Sequence, residues 1–172
     1  MDPRQDIASK ISEETRIEML RRNWLSHDAK WQMAVVSKYG WNLGNYLNQK
    51  VTREIGKIMM LRFMKNAGIS GINDANELRD ILVTTISLNY PEAMDKNLVI
   101  CQPDGSILFE INNCAIYNNI KKKRATGSYE CGCFALRSGF CDALKLEISH
   151  ECETCLMKGD KKCEIVLKVE KW

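Results

Sequence analysis

His150-Glu151-Cys152-Glu153-Thr154-Cys155-Leu156-Met157-Lys158-Gly159-Asp160-Lys161-Lys162-Cys163 is the stretch around which the chain is read. Cys152 and Cys155 are separated by two residues, a Gly-Asp turn follows, and Cys163 closes the segment. A two-residue spacer lets both thiolates face one ion, so this is the pattern of a chelating loop that asks for a fourth ligand. Cys131 and Cys133 stand upstream in the same third of the chain and can supply it. Alternating apolar residues lie on both sides, Leu146 and Ile148 before the loop and Ile165, Leu167 and Val169 after it. The loop therefore reads as the connection between the last two strands of a sheet.

Upstream of this hairpin, Phe134, Leu136, Phe140 and Leu144 recur at helical spacing, with Cys131 and Cys133 at the N-terminal end of the helix they predict. Leu98-Val99-Ile100-Cys101 and Ile107-Leu108-Phe109-Glu110-Ile111 flank Pro103-Asp104-Gly105, which predicts two antiparallel strands around a turn. Cys114-Ala115-Ile116-Tyr117 leads into a short helix or loop carrying Lys121-Lys122-Lys123-Arg124, a basic run that reads as a solvated segment.

The front of the chain changes period. Ser12 followed by Glu13 and Glu14 caps a helix continued by Ile17, Leu20 and Trp24, and His27-Asp28 is expected to break and restart it. From Asp28 to about Asn66 apolar residues return every 3.6 positions, predicting one long helix or two collinear ones that stop at Gly68, with Gly40 and Gly44 allowing a bend or a close neighbour. Met59, Met60, Phe63 and Met64 read as core or subunit interface. Asp74 caps a further helix with Leu78, Ile81, Leu82 and Thr85 on one face, ending before Pro91.

These readings give an α+β chain: N-terminal helices packed on an antiparallel sheet of about four strands, with a cysteine metal site joining the last helix to the final hairpin. A chain of 172 residues fits a single domain, residues 1–172, with a helical part at 1–92 and a sheet and metal-site part at 93–172. The apolar content of 45% and charged content of 27% are those of a globular chain. No apolar run approaches a membrane span, and Met1-Asp2-Pro3-Arg4-Gln5-Asp6 lacks the regions of a signal peptide, which predicts a cytoplasmic protein that does not enter membranes. The eight cysteines are then expected to be reduced, leaving metal, redox or core roles, with Cys101 and Cys141 assigned to the core. The small net charge of +3 gives no nucleic-acid footprint. His27 and His150 are the two histidines, and His150 reads as a surface residue at a strand end that could also support the metal loop. No Gly-rich phosphate loop is completed by Gly127-Ser128 or Gly132, and Glu151 and Glu153 do not form a separated acid and base pair.

The run from Cys131 through Gly139-Phe140 to Cys155-Leu156-Met157-Lys158-Gly159-Asp160-Lys161-Lys162-Cys163-Glu164-Ile165 resembles the end of a 4-vinyl reductase-type (V4R-like) ligand-binding domain, over roughly residues 95–170. In such domains the pattern holds zinc. The resemblance places Cys155 and Cys163 at two ligand positions, Cys152 where a glutamate ligand can stand, and Cys131 or Cys133 at the helix-start ligand. The helical half is similar to uncharacterised cysteine-rich proteins of anaerobes related to the L-2-amino-thiazoline-4-carboxylic acid hydrolase-like group. Zinc is the metal this implies, while the additional Cys114, Cys133 and Cys141 leave an iron–sulfur cluster or a reactive thiol open. The implied function is a metal-binding sensory or accessory module holding a small apolar molecule between helices and sheet. The alternative is a hydrolase or reductase using the metal or a reactive cysteine. The apolar stripe bearing Trp31, Tyr39 and Tyr46 predicts a homodimer through the N-terminal helices.

Overall fold

A computed structural model describes residues 8–91 and 97–172. Helix α1 runs Glu13–Ala67 and α2 runs Ala75–Asn89; strands β1, Leu98–Cys101, and β2, Ile107–Ile111, follow. Helix α3, Ala115–Lys122, and helix α4, Cys133–Leu144, lead to β3, Glu147–Thr154, and β4, Cys163–Lys171, with a 3-10 turn at Leu156–Lys158 between the last two strands. All strand pairs are antiparallel and the sheet order is β1-β2-β4-β3.

Local chemistry sets the ends of the helices. The Ser12 hydroxyl accepts from the Thr15 N–H at 3.1 Å, and Gly68 closes α1 in the left-handed region at φ 69°. Asp74 accepts from the N–H groups of Asn76 and Glu77 at 2.8 and 2.9 Å and so starts α2, whose Leu78, Ile81, Leu82 and Thr85 are all buried. The chain does not break at His27-Asp28 as expected. Both residues are helical, and the kink lies at Gly40, with φ 83° and ψ 171°. Neither His nor Asp removes a backbone donor, whereas only glycine reaches that conformation without strain. The bend folds Gly44 against Val36, leaving no space for a Cβ at Gly44.

Beyond the kink, α1 packs along α4 at a crossing with almost no side chain between the backbones. A Cβ on Gly56 would stand 2.5 Å from the Leu136 carbonyl oxygen, and one on Gly139 would stand 2.9 Å from Arg53 C and from Lys57 N. Arg53 and Gly56 on α1 thus face Leu136 and Gly139 on α4, each pair one helical turn apart. Beside the crossing, Arg53 Nε and Nη2 donate to the two Asp142 carboxylate oxygens at 2.6 and 2.8 Å.

The core lies between this helix pair, α2 and one face of the sheet. Met60, Leu78, Leu82, Ile107, Phe140, Cys141 and Leu167 are fully enclosed there. Met59 and Met60 belong to the core as expected, and so does Cys141; Cys101 is half-buried and donates to the Ala75 carbonyl at 3.1 Å. The basic run 121–124 is exposed at the end of α3. The final strand β4 sits inside the sheet, with Phe109 opposite Ile165 and Cys152 opposite Ile165 on its other edge.

Candidate functional site

Two features meet at the N-terminal end of α4: an apolar cavity and a group of thiols. The cavity has a volume of about 420 Å³ and lies between helices and sheet. Trp24, Trp31, Val51 and Ile55 of α1 form one wall, Val83 and Ile86 of α2 another, and Val99, Phe109 and Ile111 of the sheet a third. Cys133, Leu136 and Arg137 close it from α4, and Cys114 from the start of α3. Trp24 meets Tyr90 edge to face, with ring centroids 5.7 Å apart, which braces the wall where α1 passes α2. Burial raises the Asp28 carboxyl, at the cavity edge, above its ordinary range.

The segment before α4 is held onto α1 by side-chain amides. Asn45, buried, donates to the Ser128 carbonyl at 2.7 Å and accepts from the Glu130 N–H at 3.2 Å, while Gln49 donates to the Cys131 carbonyl at 3.0 Å. Gly132 lies flat against Thr52 and Asn48, where an added Cβ would meet Thr52 at 3.3 Å. This docking aims Cys133 at the cavity.

The structure places each cysteine expected at the metal site. Cys131 precedes α4, Cys133 is its first residue, Cys152 lies within β3, Cys155 caps the 3-10 turn and Cys163 opens β4. The loop is thereby shorter than its sequence suggests, because β3 extends through Cys152. Cys155 neighbours both Cys152 and Cys163, and Cys131 neighbours Cys133. Cys163 also feels the charge of Cys133, so the turn and the start of α4 face each other. The turn is fixed by Asp160 accepting from the Cys155 N–H at 2.7 Å and by the Leu156 N–H donating to Cys163 Sγ at 3.2 Å. Among the described residues, no group of three or more His, Cys, Asp or Glu side chains is gathered as a metal centre. Cys131 and Cys133 neighbour each other before and at the start of α4, and Cys155 neighbours both Cys152 and Cys163 at the turn.

Their proton affinities diverge. The neighbouring Cys131 thiol, with Arg137, pulls Cys133 below the ordinary thiol range, and Cys133 together with burial pushes Cys131 up. Burial pushes Cys152 and Cys163 up as well. His150 is not a surface residue at a strand end: it is half-buried within β3, edge to face with Phe134 at 5.6 Å, and burial followed by Arg137 lowers its pKa to about 4.

Arg137 is the residue that sequence reasoning missed. It is 4% exposed, and its guanidinium lies 4.5 Å from the centroid of the Phe109 ring. The available signal was its position in α4, one turn after Cys133, on a helix whose remaining residues are mostly apolar or small.

With this geometry in hand, the chain belongs to a family of unknown function (DUF6125), which matches residues 9–165. No curated protein matches it in sequence. Among solved structures it is similar to a trafficking protein particle complex subunit 3 from Naegleria fowleri, covalently bound to palmitic acid, with a TM-score of 0.53 at 16% identity over 93% of this chain and 98% of that one. It is also similar to an H-NOX protein from S. oneidensis in the Fe(II)NO ligation state, with a TM-score of 0.43 at 13% identity over 76% of this chain and 71% of that one. The first likeness is one of fold.

Proposed function

We propose that this protein is a small-molecule-binding module of the sensory or accessory kind, working in the cytoplasm, whose ligand is an apolar molecule held in the cavity between helices and sheet. The cavity carries this reading. Its 420 Å³ lies within the range of about 300–1,000 Å³ usual for small-molecule sites, and aromatic and aliphatic walls with few polar groups are what such sites have. Filling it stabilises the complex by about 0.8 kcal/mol for each methylene removed from water. Trp24 and Trp31 stand in the wall and report occupancy by fluorescence. Titration with a neutral apolar probe such as 1-aminoanthracene is expected to saturate at one per chain, and Val51→Trp, which fills the cavity, to abolish binding. A probe that never saturates, or that binds the Val51→Trp protein equally well, refutes the reading.

The cysteines add a proposed metal. Cys152, Cys155 and Cys163 with Cys131 or Cys133 are a donor set suited to zinc, or to an iron–sulfur cluster, and the Leu156 N–H donates to Cys163 Sγ. Zinc bound by four sulfurs would tie the start of α4 to the β3–β4 turn and leave chemistry to other groups. A second reading has one observation behind it: Cys133 lies in the cavity wall with its proton affinity lowered, as a nucleophile needs. In that case the protein is a hydrolase or reductase of the thiazoline-hydrolase-like kind. Cys133→Ser then removes turnover while retaining ligand affinity, whereas in a binding module it changes neither.

A further inference from the structure

Arg137 is a cation placed where a cation is costly. It is 4% exposed and forms part of the cavity wall. A guanidinium offers five N–H donors and does not give up its proton. Here Nη1 donates to the Cys133 carbonyl at 2.8 Å, Nε is buried without a partner, and the flat face rests on Phe109. Among the described residues no carboxylate lies within 4.0 Å of it, and the ion pairs present, such as Arg53 with Asp142, sit nearer the surface. A ring face offsets only part of the desolvation of such a group, and a buried charge is ordinarily paired.

We propose that the cavity's ligand carries an anionic head, a carboxylate on an otherwise apolar body, and that Arg137 is the residue that pairs with it. This rests on the cavity being a ligand site and narrows the class of ligand. The planar fork of arginine matches a carboxylate in two parallel hydrogen bonds, which lysine in its place would not reproduce. The surrounding apolar wall strengthens the pairing by excluding water. The body of the ligand then lies along Trp24, Val51 and Ile55, away from the charged end.

A matched pair of probes tests it. Dodecanoate and dodecanamide share length and shape and differ in charge, and each is titrated into the wild-type protein at neutral pH and low salt, followed by calorimetry and tryptophan fluorescence. The carboxylate is expected to bind at least about tenfold more tightly than the amide. In Arg137→Met that preference is expected to vanish while the amide still binds, and in Arg137→Lys to be partly kept. Equal affinities in the wild type overturn the inference and leave the cavity as a site for neutral molecules, the result expected if the Cys133 sulfur already serves as counter-ion. A preference that survives in Arg137→Met overturns the assignment to Arg137. Failure of both probes to bind, where 1-aminoanthracene also fails, removes the ligand site itself. Should Arg137→Met not fold, the wild-type comparison still decides between the carboxylate and the neutral ligand.

Discussion

Replacing Gly139 by alanine tests the helix crossing on which the cavity is built. The new methyl group would stand 2.9 Å from Arg53 C and Lys57 N, and closer still to the Arg53 oxygen. Overpacking costs about 1–3 kcal/mol where side chains can yield. Here the obstruction is the backbone of α1, so the upper end applies, about 3 kcal/mol. Alanine returns about 1 kcal/mol through its better helix propensity. The net loss of about 2 kcal/mol corresponds to a fall of roughly 4–8 °C in melting temperature for a chain of this size. Gly71→Ala is the control, since a Cβ there meets nothing within 4 Å and its backbone requires no positive φ. Gly56→Ala should destabilise in the same direction, because its Cβ would stand 2.5 Å from the Leu136 oxygen. The double variant should lose less than the sum, since the first methyl already spreads the helices. Thermal and urea unfolding of the wild type and the four variants provide the measurement. Gly139→Ala melting together with Gly71→Ala would refute the close crossing.

Asp142→Asn should cost up to about 1 kcal/mol, the range for a partly exposed ion pair. The side-chain bond from Arg53 lowers the Asp142 pKa below its ordinary 3.8, so the pair's contribution is complete above that pH and is lost as pH falls through the folded-state value. The melting difference between wild type and Asp142→Asn should accordingly shrink in strong acid and stay constant from pH 5 to 7. If the thiols hold zinc or a cluster, purified protein carries about one equivalent by elemental analysis, and Cys155→Ser or a chelator lowers the melting temperature; metal-free protein with unchanged melting refutes it. Trp31, Tyr39 and Tyr46 on α1 are 50%, 58% and 61% exposed, more apolar surface than a helix in water usually shows, and light scattering is expected to report a homodimer; a monomer at all concentrations counts against it. Asn45→Ala removes two of the bonds that hold the segment before α4 on α1 and should cost about 1–3 kcal/mol in unfolding while loosening probe binding.

The sequence alone determined the elements whose causes are local. Ser12, Asp74 and Gly68 mark helix ends through bonds made within a turn, and Pro103-Asp104-Gly105 separates two strands for the same reason. Helical period placed Leu78, Ile81, Leu82 and Thr85 on the buried face, and strand period found β4. The kink was legible only as a choice between glycines and the His27-Asp28 step, because a bend in a long helix depends on what presses against it. Three features belonged to the tertiary structure. The insertion of β4 between β2 and β3 is a long-range pairing that alternation cannot rank, since every strand edge offers the same donors and acceptors. The Gly56 and Gly139 crossing joins positions far apart in sequence, where a glycine inside a helix looks merely unfavourable until a second backbone arrives. Arg137 was invisible for a related reason: its charge reads as surface by residue type, and its burial against Phe109 exists only once α4 lies on the sheet.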